Sequence, residues 1–246
     1  MSDPLLIVDG LGKRFGGFVA LDDIHLAVRS GERVGLIGPN GSGKSTLVNC
    51  LSGVLRNETG TVEFDGHALN GLPSYKRTRL GLARSFQLPR PFRTLSVTEN
   101  LRIPLLYTVN ARPGRRHLSE AAIAERCDEL LQVMGLAEKA KRLPRDLTQI
   151  EMRKLELARA LAADPKLLIA DESMAGLSHS EVDEILALLG RLVEAGITII
   201  LIEHIMRAVM AFSERLVVLV AGRKIADGPP QEVIRNPEVE RAYLGE

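Results

Sequence analysis

Short apolar runs alternate with Gly-rich breaks at the start of the chain. Residues 5–8, 24–28, 33–37 and 61–64 read as β-strands bounded by turn residues. A helix is predicted from Lys44, with Leu47, Val48, Cys50 and Leu51 as its apolar positions. Residues 97–162 are mostly helical in pattern. Within them, 119–134 opens on Ser119 as a cap and places Ile123, Cys127, Leu130, Leu131 and Met134 on one face, and 152–162 repeats that spacing. The pattern then changes. Residues 167–170 and 197–202 are nearly continuous apolar runs, interrupted only by Thr198, as parallel strands buried on both faces require. A helical stretch at 182–192 lies between them and completes a βαβ unit. Residues 216–220 and 223–226 form a hairpin turning at Ala221-Gly222. The fold class is α/β.

Composition adds limits. A chain of 246 residues is long for one domain and short for two, so one domain with an inserted subdomain is expected. Hydrophobic residues at 45% supply a sizeable core, and a formal net charge of +1 argues against a polybasic nucleic-acid binder. Met1-Ser2-Asp3-Pro4 lacks the charged-then-apolar pattern of a signal peptide. No apolar run approaches the roughly 20 residues needed to cross a bilayer, so work at a membrane is expected to pass through a partner. Cys50 and Cys127 have no paired spacing and read as structural thiols in a reducing compartment such as the cytoplasm. Residues 110–117, with Arg112, Arg115 and Arg116, read as a solvated loop, with a phosphate or partner site as the lesser alternative.

The chemistry begins at Gly38-Pro39-Asn40-Gly41-Ser42-Gly43-Lys44-Ser45-Thr46, which follows a predicted strand and opens a predicted helix. Glycines let successive backbone N–H groups turn inward as an anion nest at a helix N-terminus. Lys44 adds positive charge for the β- and γ-phosphates of ATP, and the Ser45 hydroxyl is a hard oxygen ligand for Mg2+. Such a site needs an acid at the end of a neighbouring strand, and Leu167-Leu168-Ile169-Ala170-Asp171-Glu172 provides two. Strand alternation points them apart, so they take different tasks. Asp171 is assigned to Mg2+ through water, and Glu172 to orienting and deprotonating an attacking water. An Asn-Lys-x-Asp guanine reader is missing, which argues against a GTPase, and a water-activating acid would waste ATP in a small-molecule kinase.

Lys13-Arg14-Phe15-Gly16-Gly17, the phosphate loop, Arg84-Ser85-Phe86-Gln87, Asp171-Glu172 and Leu201-Ile202-Glu203-His204 occur in the order found in ATP-binding cassette (ABC) ATPases, and the chain resembles that family end to end. The resemblance implies a RecA-like core with a parallel sheet and an N-terminal antiparallel β-subdomain (about 1–90 and 163–246), and an inserted helical subdomain (about 91–162). It implies Phe15 stacking on adenine, Gln87 sensing Mg2+ and the attacking water, and His204 holding the γ-phosphate or Glu172. Departures occur where the family carries Leu-Ser-Gly-Gly-Gln: this chain has Leu147-Thr148-Gln149-Ile150-Glu151. Thr148 keeps a hydroxyl for the nucleotide of an opposite subunit, while Glu151 places negative charge near that phosphate. The family's Asp six residues after the catalytic Glu is Ser178, and its Pro directly after that Glu is Ser173. An unequal second ABC ATPase is therefore expected as partner.

Within the family, Asn49-Cys50-Leu51-Ser52-Gly53, Met174-Ala175-Gly176-Leu177, Glu203-His204-Ile205-Met206 and Ala242-Tyr243-Leu244-Gly245-Glu246 resemble the ATP-binding subunits of branched-chain (hydrophobic) amino acid importers. That likeness implies two membrane permease subunits, a periplasmic solute-binding protein and a place on the cytoplasmic face of the inner membrane. Relatives of similar sequence serve urea and other small polar or aromatic solutes. A soluble ABC ATPase and a weakly hydrolysing regulatory subunit are the other classes weighed.

Overall fold

The computed structural model describes residues 3–86, 89–114 and 116–244. Along the chain run β1 (Pro4–Phe15), β2 (Phe18–Arg29), β3 (Arg33–Ile37), α1 (Lys44–Leu51), β4 (Thr59–Phe64), β5 (His67–Ala68), α2 (Ser74–Leu80) and β6 (Leu82–Ser85). There follow α3 (Val97–Pro104), which continues into a π-helical turn (Leu105–Val109), then α4 (Glu120–Met134) and α5 (Gln149–Ala162). The last part contains β7 (Leu167–Asp171), α6 (His179–Glu194), β8 (Thr198–Ile202), α7 (Met206–Phe212), β9 (Arg215–Val220), β10 (Arg223–Gly228), α8 (Pro230–Val233) and α9 (Pro237–Leu244).

The fold is α/β with two sheets. One is antiparallel, in the order β2-β1-β4-β5. The other has the order β10-β9-β3-β8-β7-β6, parallel from β9 to β6 with β10 antiparallel at one edge. Alternation along the parallel strands sorts side chains between two cores. Leu167 and Ile169 of β7, with Ile200 and Ile202 of β8, pack on α1 and the antiparallel sheet. Leu168 and Ala170, with Ile199 and Leu201, pack on α3, α4, α5 and α6. Both faces are thus apolar and covered, which is why these strands read as continuous hydrophobic runs. Thr198 breaks the run without cost because its hydroxyl accepts a hydrogen bond from the Gly31 N–H at 2.9 Å.

Some elements differ from the sequence pattern for identifiable reasons. β1 is one long bulged strand: its register against β2 shifts between Val8 and Leu11 and again by Lys13, so strict alternation is lost without the strand ending. α2 lacks an apolar stripe. Its buried anchor is Arg77, 2% exposed, whose guanidinium donates to the carbonyls of Cys50, Leu51, Leu69 and Leu72. In the basic segment, Arg112 turns inward rather than out to solvent. It donates to the carbonyls of Ala163 (2.6 Å) and Asp164 (2.7 Å) and pairs with the Asp164 carboxylate, closing the turn after α5. Arg116 is exposed, and Arg115 lies outside the described residues. Both cysteines are buried free thiols, and burial pushes each up to about 11. Among the described residues, no helix is long and apolar enough to cross a membrane.

Candidate nucleotide site

β3 delivers its chain through a buried run, Val34 to Ile37, and ends at the loop that precedes α1. The loop is braced from the far side of the chain. The Gly222 N–H, in the β9–β10 turn, donates to the Ser42 carbonyl at 3.0 Å, and the Asp22 N–H donates to Gly222 at 2.8 Å. Gly43 is left-handed (φ 103°), and a Cβ there would lie 2.7 Å from the Ala20 carbonyl oxygen, so this position demands glycine. Lys44 is 6% exposed. Its Nζ donates to the carbonyls of Gly38 (2.7 Å) and Pro39 (3.1 Å), which folds the ammonium back along the loop. Burial lowers the Lys44 pKa, and the charges of Glu172 and Asp171 oppose that shift. The N-terminus of α1 has no side-chain cap and no acidic residue in its first turn.

The two acids part as alternation requires. Asp171, at the end of β7, is 5% exposed, and its Oδ2 accepts from Arg84 Nη2 (2.6 Å) and Nε (3.2 Å) on the neighbouring β6. Glu172 faces the other neighbour: its N–H donates to the Ile202 carbonyl at 2.9 Å, and its carboxylate bonds His204 Nε2 at 2.8 Å. Glu172 takes a left-handed backbone (φ 45°), unusual for a residue with a side chain and of a kind concentrated at functional sites. Behind it, the buried Glu203 carboxylate accepts from the Met174 N–H at 2.8 Å. Burial pushes Glu203 up to about 7, and the Glu172 charge adds to that.

These groups meet in a cavity of about 260 Å³ lined by Phe15, Phe18, residues 40–46, Glu172 and His204. Phe15, 48% exposed, is not a core aromatic, and Phe18 faces it across the β1–β2 hairpin. Gly38 lies at the base of the loop, and Asp171 is buried beside the cavity rather than lining it. A larger cleft, about 1060 Å³, runs from the β1 edge to α4 and α6 and includes none of the predicted site residues, so size does not select the site. Gln87 lies outside the described residues.

Thr148 is also apart from the cavity. It caps α5: its hydroxyl accepts from the Glu151 N–H (3.3 Å), and the Glu151 carboxylate accepts from the Thr148 N–H (2.8 Å). Lys139 pairs with that carboxylate at 3.2 Å. The Thr148 N–H, followed by Lys139, holds the Glu151 carboxyl below its ordinary range. Gln149 and Arg153 each donate to the Ala175 carbonyl at 3.2 Å, tying the tip of α5 to the segment after Glu172 in the same chain. Ser178 performs a capping task that Asp would also serve, closing a capping box with Glu181 at the start of α6.

Sequence reasoning did not single out Phe18, Arg84, Glu203 or Arg153. Phe18 had a legible signal, since a two-glycine turn places it opposite Phe15. Arg84 had none, because its role depends on β6 lying beside β7.

The family model for the ABC transporter matches residues 21–175, and that for the branched-chain amino acid ATP-binding cassette transporter matches 223–246. Over the full length of both chains, the sequence is 38% identical to the high-affinity branched-chain amino acid transport ATP-binding protein BraF of Pseudomonas aeruginosa and 39% identical to LivG of Escherichia coli K12. The ADP conformation of the cassette MJ1267 superposes with a TM-score of 0.88 at 30% identity, covering all of both chains. A cassette dimer, MJ0796 in a post-hydrolysis state with ADP and Pi, superposes at 0.80 with 26% identity, over 91% of this chain and 98% of that one. With an open helix N-terminus under a buried lysine, a carboxylate–histidine pair across the cavity, and this likeness over the whole length, the chain belongs to the ABC transporter family and is an ATP-binding cassette ATPase.

Proposed function

We propose that this chain is one of two unequal cassettes that power import of branched-chain or related hydrophobic amino acids. The carrying observation is that one cavity collects Phe15, the phosphate loop and the Glu172–His204 pair, while the tip of α5 is closed by its own side chains. The names of the full-length relatives and the match over 223–246 support the solute class.

In this reading adenine stacks on Phe15, and the phosphates take the open N–H groups before α1. Lys44 exchanges its loop carbonyls for phosphate oxygens. The donor set suits magnesium: the exposed Ser45 hydroxyl and the Asp171 carboxylate are hard oxygens, with Gln87 as a third ligand. Among the described residues no cluster of three His, Cys, Asp or Glu side chains is placed to hold a metal alone, consistent with an ion that enters with the nucleotide. Ser45 and Asp171 would hold the ion, and the chemistry it would supply is neutralisation of phosphate charge. Glu172 accepts the proton of the attacking water, and the His204 ring, bonded to Glu172, keeps the carboxylate in register.

The capped α5 supports a weaker grip on the nucleotide of the partner cassette, because the Thr148 and Glu151 N–H groups already have acceptors and the Glu151 carboxylate brings its own negative charge to the helix start. Of two permease subunits, one would dock at this chain's groove lined by Phe86, Phe92 and Tyr107 and the other on the partner cassette, with a periplasmic binding protein supplying solute on the far side. The chain would then sit on the cytoplasmic face of the inner membrane. No nucleic-acid partner is expected at a net charge of +1.

Purification with and without the partner cassette tests the unequal pair: turnover per chain should rise sharply in the mixed assembly, and equal turnover in both preparations sinks it. Co-purification with the permeases should retain a hydrophobic amino acid. Retention of a different solute overturns the substrate class.

A further inference from the structure

Arg84 is charged, 11% exposed at its side chain, and lies between the nucleotide corner and the groove on the outer face. Every nitrogen of its guanidinium is engaged. Nε and Nη2 both bond Asp171 Oδ2, at 3.2 and 2.6 Å. Nη1 donates to Asn49 Oδ1 of α1 at 2.7 Å and to Ser52 Oγ at 3.4 Å. The guanidinium carbon stands 5.0 Å from the centre of the Phe86 ring, within cation–π range, and that ring lines the groove with Arg84 itself.

We propose that Arg84 is a positioning residue that presents Asp171 to magnesium and ties that carboxylate to the groove wall; this rests on the assignment of Asp171 to the metal made above. Two donors of a planar guanidinium fork converging on Oδ2 hold that oxygen from two directions, a firmer restraint than a single ammonium contact gives. The guanidinium also compensates a buried charge that would otherwise carry a large desolvation penalty before the metal arrives. Because both contacts fall on Oδ2, Oδ1 is the oxygen left to accept from a metal-bound water. The third branch, to Asn49, anchors the fork to the helix that follows the phosphate loop, so the metal corner and the phosphate corner keep one geometry. The fourth contact, to Phe86, gives a segment seated in the groove a direct route to that geometry.

The readout is the ratio of ATP dissociation constants in excess EDTA and in Mg2+, measured by equilibrium binding without turnover. Arg84→Lys keeps the charge and loses the fork. Its affinity in EDTA should stay within about twofold of wild type, while the tightening by Mg2+ should fall by about three- to tenfold. Asn49→Ala changes no charge and should lower the same ratio by about two- to threefold, which keeps the test open if Arg84→Lys fails to fold. Phe86→Leu should give the smallest shift in the same direction. Asp171→Asn serves as reference. If it loses the Mg2+ effect while Arg84→Lys and Asn49→Ala retain it, the role of Arg84 is overturned and the metal assignment survives. If Asp171→Asn keeps the wild-type ratio, both fall. Equal loss of binding in EDTA and Mg2+ on Arg84→Lys also overturns the proposal, since it makes Arg84 a support of the pocket as a whole.

Discussion

Two helices of this chain, α1 and α5, begin with the same backbone resource: several N–H groups without helical partners and the positive end of a helix dipole. They use it in opposite ways. α1 starts at the left-handed Gly43, with no side-chain cap and no acid in its first turn. α5 starts at Thr148 with a complete capping box, its Glu151 carboxylate folded over the N-terminal donor and paired with Lys139. The first terminus faces a cavity with a buried lysine and can take an anion from outside. The second has supplied its own. A helix N-terminus is a phosphate site only where neighbouring side chains leave it open, and the choice here rests on two or three residues.

The largest expected effect tests the open corner. Glu172→Gln should bind ATP and lose turnover by about 10²–10⁴-fold, read by equilibrium binding beside single-turnover hydrolysis. Wild-type turnover would remove Glu172 as the base. Next, Lys44→Ala should weaken ATP binding by ~10²-fold or more, since it removes charge-assisted contacts. Its nucleotide-free melting temperature should hold or rise, because burial already disfavours the Lys44 charge. A variant that melts early and binds normally would break the contrast between the two helix starts.

A smaller effect lies behind the corner, at Glu203. Burial holds this proton up to about pH 7 in the folded chain, whereas the unfolded chain releases it near the ordinary glutamate value of 4.5. Between those values the folded state binds more protons, so the Glu203 contribution falls as pH rises through this window and levels off above it. The total is at most about 3 kcal/mol. Glu203→Gln keeps an acceptor for the Met174 N–H and should flatten that slope in melts recorded from pH 5 to 8. An unchanged difference curve would place the titration elsewhere.

The smallest effect probes the closed terminus. Glu151→Ala should cost about 1 kcal/mol and lower the melting temperature by a few degrees. In a mixed assembly where this chain carries Glu172→Gln, the remaining turnover belongs to the partner's site. Opening α5 should raise it, and no change would show that the cap does not limit that site.

Much of this was legible without coordinates. The glycine spacing from Gly38 to Gly43 with Lys44, and the apolar run that delivers Asp171 and Glu172, state their chemistry locally. A nest needs residues that tolerate inward-facing amides, and a buried parallel strand needs apolar residues on both faces. The helices at 119–134 and 182–192 were readable for the same reason, as burial on one face leaves a period in the sequence. α2 was not, because its anchor is a single buried arginine whose partners are backbone carbonyls from two other segments, the end of α1 and the loop before α2. The Glu151 carboxylate lies on the Thr148 N–H, and that Thr-x-x-Glu capping pattern is local enough to read in the sequence, although by likeness to the family Glu151 reads as a charge close to phosphate.

What the chain alone determined, then, is the kind of chemistry present: a phosphate nest, a lysine, two acids at a strand end and a histidine after the next strand. Each depends on residue type and spacing within a few positions. Tertiary structure decided which of these act on one another. Strand order puts β7 between β8 and β6, so Glu172 meets His204 on one side and Asp171 meets Arg84 on the other. Those pairings join residues 32 and 87 positions apart, a separation at which only sheet order brings them together.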